Sequence, residues 1–262
     1  MKIVTWVHAG GHRLEYRWIG SSPDQAPTIV FLHEGLGCVD MWRDFPDEVV
    51  DATGCGGLVY SRAGYGKSDP IVLPRKVEFM HDEALKVLPE VLENFHIRDA
   101  ILFGHSDGGS IALILAGSGT VNNILSLVLE APHVFVEPIG IESISAAKRN
   151  YEYGSLRAGL EKYHGRNVEC AFRGWNDVWL NPEFRSWNIE SYLPGIRVPS
   201  LVIQGEQDQY GTLKQVRALE ACSSGPVETL VLSDCGHSPH RDQPRLVLEN
   251  VGNFIKQHVG RS

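Results

Sequence analysis

Short apolar runs alternate along this chain with stretches of helical spacing. Alternating positions near residues 2–8 and 12–19 predict two opening strands, joined at Ala9-Gly10-Gly11. Thr28-Ile29-Val30-Phe31-Leu32 predicts a third strand over 28–33, and residues 39–51 suit a helix. Leu58-Val59-Tyr60 is a fourth strand. Val77, Met80, Ala84, Val87, Leu88, Val91, Leu92 and Phe95 share one helical face, which predicts a helix over 77–95. The apolar run Ala100-Ile101-Leu102-Phe103 is followed, after five residues, by the small-residue helix pattern that starts at Gly109. Ile124–Leu129 is the next strand. The pattern resumes with a strand at 200–205, a helix at 212–222, a strand at 227–233 and a final helix at 243–258. Strands that alternate with helices imply an α/β fold, with a mostly parallel eight-stranded sheet covered on both faces.

The alternation breaks between 134 and 192. This stretch is rich in aromatics: Tyr151, Tyr153, Tyr163, Phe172, Trp175, Trp179, Phe184, Trp187 and Tyr192. It also carries Arg149, Arg157, Arg166 and Arg173. It reads as an insertion at 134–192 into a core made of 1–133 and 193–262. A length of 262 residues suits one domain with such an insert.

Composition narrows the function classes. A hydrophobic content of 43% is enough for a sizeable core. The formal net charge of -8, with no Lys/Arg cluster, argues against a nucleic-acid partner. The first residues alternate like a strand and lack the layout of a signal peptide. No apolar stretch approaches the length of a membrane span. The five cysteines, Cys38, Cys55, Cys170, Cys222 and Cys235, form no C-x-x-C pair. Free thiols in a reducing compartment are the expectation, hence a soluble cytoplasmic protein.

Four loops that follow strands carry the candidate chemistry. Gly104-His105-Ser106-Asp107-Gly108 stands between a strand and a helix, where small residues on either side of the serine let the chain turn sharply. His33-Glu34-Gly35-Leu36-Gly37, Gly205-Glu206-Gln207-Asp208 and Gly236-His237-Ser238-Pro239-His240 each follow an apolar run. Acyl transfer needs a nucleophile, a base to take its proton, a carboxylate to orient the base, and amide donors for the developing oxyanion. These segments supply all four, in the order Ser…Asp…His.

On those motifs the chain resembles the α/β-hydrolase superfamily over nearly its whole length. The resemblance implies Ser106 as nucleophile, His237 as general base and Asp208 as the orienting acid. Glu130, after the preceding strand, is the alternative acid. The oxyanion donors would be the amides of Asp107 and of Gly35, with Glu34 as backup because it replaces the first glycine of the family's His-Gly-X-Gly. The 134–192 insertion would be a helical cap. Its aromatics then either hold it to the core or line the pocket, with Trp175 and Trp179 expected to line it. Asp107 is either a helix-start carboxylate favoured by the dipole or a group that holds a substrate ammonium. Glu34 either pairs with Arg62 or a similar basic residue, or adds negative charge to the pocket. Trp42 faces either the acyl pocket or the core. The Arg62–Ser68 segment resembles a structural turn of the family. The pair His237/His240 lacks a third ligand at suitable spacing, so no metal is expected.

The function this implies is hydrolysis of a small carboxylic ester, lactone or related acyl compound through an acyl-enzyme, without a cofactor. The partner would be a small-molecule substrate, with no nucleic acid or membrane, and with room for a homodimer. Carbon–carbon bond hydrolysis of the ring-cleavage-product type would use the same triad, with arginines of the cap holding an anionic substrate. Perhydrolase or haloperoxidase activity would be a side reaction of the same site. Dehalogenases and epoxide hydrolases use an aspartate nucleophile, and position 106 is serine. A small-molecule receptor on a hydrolase fold is the non-enzymatic alternative.

Overall fold

The computed structural model describes residues 5–259. Within them β1 begins at Thr5 and runs to Ala9; the earlier part of the strand expected over 2–8 lies outside the described residues. The other strands are β2 (His12–Gly20), β3 (Thr28–Leu32), β4 (Gly56–Tyr60), β5 (Ala100–His105), β6 (Ile124–Glu130), β7 (Ser200–Gly205) and β8 (Val227–Leu232). They form one sheet in the order β1-β2-β4-β3-β5-β6-β7-β8. The β1–β2 and β2–β4 pairs are antiparallel, and the pairs from β4 to β8 are parallel. β3, β4 and β5 are buried along their whole length, which explains their unbroken apolar runs.

Alternation within these strands feeds a separate core on each face. Val30, Leu32 and Leu102 point to one side, with Ile111 and Leu115 of helix α4 (Asp107–Ser118). Ile29, Phe31, Ile101 and Phe103 point to the other. There they meet Phe45 and Val49 of α1 (Phe45–Thr53), and Val251 and Phe254 of α10 (Pro244–His258).

The helix expected over 39–51 is a 3-10 turn, Val39–Trp42, followed by α1. Pro46 stands near the start of α1, where the proline's missing N–H costs nothing. The helix expected over 77–95 runs as α2 (Phe79–Asp82), a π turn (Glu83–Val87) and α3 (Leu88–Asn94). The π turn is placed where Pro89 follows, a residue unable to donate within the ladder. Between β6 and β7 lie α5 (Pro138–Tyr153), α6 (Leu156–His164) and α7 (Val168–Trp179), with short 3-10 turns. α8 (Leu213–Cys222) and the short α9 (Pro239–Asp242) flank β8. No helix in the described residues is long and apolar enough to cross a membrane.

Hydrogen bonds from the α6–α7 junction fasten the helices after β6 to the core. His164 Nδ1 accepts from Gly66 N at 3.0 Å, so its Nε2–H donates to Leu36 O, also at 3.0 Å. Asn167 Nδ2 donates to Ser68 O at 2.7 Å. The Arg62–Ser68 turn is therefore a docking platform as well as a tight turn.

Trp42 belongs to the α1/α10 core. It is 3% exposed and packs against Phe31 and Phe103. We expect Trp42→Ala to lower unfolding free energy by about 3–5 kcal/mol in denaturant titrations, with Trp42→Phe costing much less. A Trp42→Ala protein of unchanged stability would contradict this placement.

Candidate active site

The carboxyl ends of β3, β5, β6, β7 and β8 all open on one edge of the sheet, where open α/β sheets place their ligands. The sharpest turn there follows β5. Ser106 has φ 54° and ψ −118°, a strained conformation for a residue with a Cβ. Backbone crowding explains the flanking glycines. A Cβ on Gly104 would lie 2.4 Å from Gly108 O, and one on Gly108 would lie 2.0 Å from Leu32 O. The strain is held by Ser106 N–H donating to Glu130 O at 2.8 Å and by Ser110 N–H donating to Ser106 O at 3.1 Å.

This turn brings the Ser106 Oγ to 2.9 Å from His237 Nε2. His237 Nδ1 lies 2.9 and 2.8 Å from the two oxygens of Asp208. A carboxylate only accepts, so Nδ1 carries the proton and Nε2 is free to accept from the serine hydroxyl. Asp208 also accepts from Gln204 Nε2 at 2.6 Å and from Tyr210 N at 2.7 Å. Burial alone would raise its carboxyl, but His237 and then the Tyr210 amide hold it down at about 2.

Glu130, the alternative acid, is engaged elsewhere. Its Oε2 accepts from His240 Nδ1 at 2.6 Å in a fully buried pair. His240 packs against Trp42 and Phe45. His105 Nε2–H donates to the carbonyl of His237 at 2.6 Å and so holds the loop that carries that histidine. Ligand atoms of His105, Glu130 and His240 lie within 4.8 Å of one another. This cluster contains His240 but not His237. In this arrangement the His240–Glu130 and His105–His237 hydrogen bonds already engage one atom of each residue.

A cavity of about 280 Å³ opens in front of Ser106. Its walls include Gly35, Ile144, Leu156, Leu160, Trp175 and Trp179, as well as His133, Tyr210, His237 and the charged pair Glu34 and Arg241. Trp175 and Trp179 thus stand where the sequence reading expected them. Gly35 meets Trp175 so closely that a Cβ there would lie 2.2 Å from the indole nitrogen. The loop after β3 and helix α7 are therefore fitted to one another. The amide N–H groups of Gly35 and Asp107 have no acceptor among the described residues.

Two residues expected to contact substrate do not reach the cavity. Trp42 is absent from its walls because the α1/α10 core encloses the indole. The Asp107 side chain is fully buried and is not on the cavity wall. Trp179 covers it, donating its indole N–H to Oδ1 at 3.2 Å. Burial raises the Asp107 carboxyl, and no route brings a substrate ammonium to it. Glu34 does line the cavity, but its carboxylate pairs with Arg241 rather than Arg62, 3.6 Å away, and His105 Nδ1 lies at the same distance. Burial would raise that carboxyl, but His105 beside it, and then Arg241, hold it well below the usual range. Arg62 instead donates to two main-chain carbonyls of the loop, those of His33 and Glu34, and so clamps its backbone. His33 completes the clamp: its Nδ1–H donates to Glu34 O at 2.7 Å and its Nε2 accepts from Arg62 N at 3.1 Å.

Sequence reasoning missed His105, His133, Tyr210 and Arg241. The available signal was position: His105, His133 and Tyr210 each lie within five residues of the carboxyl end of a strand, and Arg241 lies in the short helix after the His237 loop.

The depressed carboxyl of Asp208 makes a stability prediction. A value of about 2 in the folded protein, below the ordinary aspartate range near 4, stabilises the fold above pH ~4. That contribution, of about 2 kcal/mol, is lost as pH falls from about 4 to about 2. Wild-type stability should therefore fall more steeply than that of Asp208→Asn across this range in denaturant titrations. Parallel pH dependences would contradict the assignment.

Comparison with known proteins agrees with this architecture. Residues 29–250 match the model of the alpha/beta hydrolase family. A Mycoplasma pneumoniae protein named "Putative esterase/lipase 1" is 25% identical over 250 residues, covering 87% of this chain and 91% of the relative. The 2-succinyl-6-hydroxy-2,4-cyclohexadiene-1-carboxylate synthase of Escherichia coli O7:K1 is 22% identical, covering 88% of this chain and 94% of that protein. The solved structure of the esterase EaEST from Exiguobacterium antarcticum superposes with a TM-score of 0.78 at 20% identity, covering 97% of this chain and 100% of that one. The chain belongs to the alpha/beta hydrolase family and is a hydrolase enzyme.

Proposed function

We propose that this enzyme hydrolyses small carboxylic esters or lactones through an acyl-enzyme on Ser106. The observation that carries this reading is the unbroken hydrogen-bonded chain from Asp208 through His237 to the Ser106 hydroxyl, at the wall of a cavity. A serine hydroxyl holds its proton at neutral pH and is a weak nucleophile until a base accepts that proton. His237 Nε2 takes it as Oγ attacks the carbonyl carbon. The charge that develops on the carbonyl oxygen is met by the unpaired amides of Asp107 and Gly35. The alcohol then leaves with the proton held on Nε2. Water attacks the acyl-enzyme, gives one proton to Nε2 and releases the acid, and the proton returns to Ser106. Asp208 keeps Nδ1 protonated throughout and stabilises the imidazolium. No cofactor enters these steps.

The helices between β6 and β7 act in this reading as a cap whose Ile144, Leu156, Leu160 and Trp175 form an apolar roof. Such a roof excludes water and favours an uncharged acyl or alkyl group. Carbon–carbon hydrolysis of an anionic substrate gains no support from the cap arginines. Arg157 and Arg173 pair with Glu169, and none of Arg149, Arg157, Arg166 and Arg173 lines the cavity. A small, uncharged, cytoplasmic substrate fits the same reading.

With p-nitrophenyl acetate at high enzyme concentration, the wild type should show a burst of p-nitrophenol followed by steady turnover. Ser106→Ala should show neither. Asp208→Asn should lower kcat by about 10³–10⁴-fold, whereas Glu130→Gln, at the buried His240 pair, should keep most of the turnover. A greater loss from Glu130→Gln than from Asp208→Asn would refute the assignment of the acid.

A further inference from the structure

The described residues bury five histidines almost completely: His33, His105, His133, His164 and His240. Four of them hydrogen-bond within the protein. His33 bonds to Glu34 O and Arg62 N, His105 to His237 O, His164 to Gly66 N and Leu36 O, and His240 to Glu130. His133 alone has no hydrogen bond to either ring nitrogen among the described residues. It is 5% exposed, and the exposure it has is to the cavity, whose wall it shares with Ser106 and His237. Its ring is fixed in place. Trp179 meets it edge-on with ring centroids 5.0 Å apart, the His237 ring lies 5.7 Å away, and its own carbonyl accepts from Ser110 Oγ at 2.7 Å. A rigid, buried donor and acceptor with no protein partner, aimed into a binding cavity, is a group left for a ligand.

The charge of this group sets the ligand chemistry. Burial, and then the neighbouring His237, push its imidazole down to about 3; Asp208 opposes this and His105 adds to it. The ring is therefore neutral, offering one N–H and one lone pair. The remaining charged groups on the cavity wall, Glu34 and Arg241, face each other. The roof above is apolar. A carboxylate or ammonium on the substrate would find no unpaired counter-charge here, whereas a hydroxyl would satisfy both ring functions.

We propose that His133 is a specificity-determining residue that binds an uncharged oxygen of the substrate, a hydroxyl or carbonyl one or two carbons from the scissile carbonyl. The preferred substrates are thus oxygenated small esters rather than plain alkyl esters. This rests on the ester-hydrolase reading for its kinetic form, but the binding site itself does not depend on turnover.

The test compares methyl butyrate with methyl 2-hydroxybutyrate and methyl 3-hydroxybutyrate, following acid release by pH-stat. The wild type should favour at least one hydroxy ester by about tenfold or more in kcat/KM. His133→Phe should bring the ratio of kcat/KM for the hydroxy ester to that for methyl butyrate down to about one, whatever it does to methyl butyrate itself, and His133→Gln should restore part of the ratio. A wild type without preference, or a His133→Phe enzyme that loses activity equally on all three esters, would overturn the proposal. Calorimetric titration of Ser106→Ala with the same esters separates this from failure of the ester reading. Tighter binding of a hydroxy ester to Ser106→Ala than to Ser106→Ala/His133→Phe supports His133 even if the wild type hydrolyses none of them. Equal binding, or no binding, overturns it.

Discussion

The passage of the chain from β5 into α4 constrains everything at this site. To lift Ser106 above the sheet edge, the backbone must turn so tightly that Gly104 and Gly108 almost touch, while Gly108 presses on the carbonyl of Leu32. The helix therefore starts against the end of β3, and the loop after β3 has to run beside the serine. The amides of Gly35 and Asp107, one in each of these segments, have no acceptor among the described residues. A side chain at either glycine would separate the elements whose proximity makes the site.

Beneath this turn lies a layer of buried polar side chains. Arg62 and His33 fix the backbone of the loop after β3, His105 fixes the carbonyl of His237, and Glu130 fixes His240. Each bond here replaces one that water would otherwise supply, so loss of a partner strands a buried polar group. The same layer joins the loops after β3, β4, β5, β6 and β8 into one rigid floor. Ser106 follows β5, His237 follows β8 and Asp208 follows β7, and the 2.8–2.9 Å spacings among them meet at His237, whose loop His105 holds.

Above the floor the chemistry changes. The helices after β6 contribute an apolar roof and two tryptophans, and reach the core through polar contacts at His164, at Asn167 and from Trp179 to Asp107. The cavity is consequently lined by apolar groups, by one mutually paired set of charges, and by neutral polar groups that include His133 and Tyr210. The distribution fits an uncharged substrate, positioned by shape and a few hydrogen bonds, better than one steered by charge.

The sequence determined the architecture because periodicity is local. The buried strands β3 and β5 were legible as unbroken apolar runs, the helix over 77–95 as one apolar face, and the elbow from small residues around Ser106. The order of Ser106, Asp208 and His237, each just past a strand, followed from the same reading. Only the tertiary structure decided which way side chains turn and what they meet. Asp107 and Trp42 stand in the motifs, yet one is sealed under Trp179 and the other is enclosed by Phe31 and Phe103. Glu34 has Arg241 as its partner, more than two hundred positions later in the chain, through a loop packing that no local pattern encodes. His133 is a single histidine after a strand, and nothing in its neighbours separates it from the four that hydrogen-bond internally. Its lack of a partner is a property of the assembled cavity, because satisfaction of a buried group depends on every element packed around it.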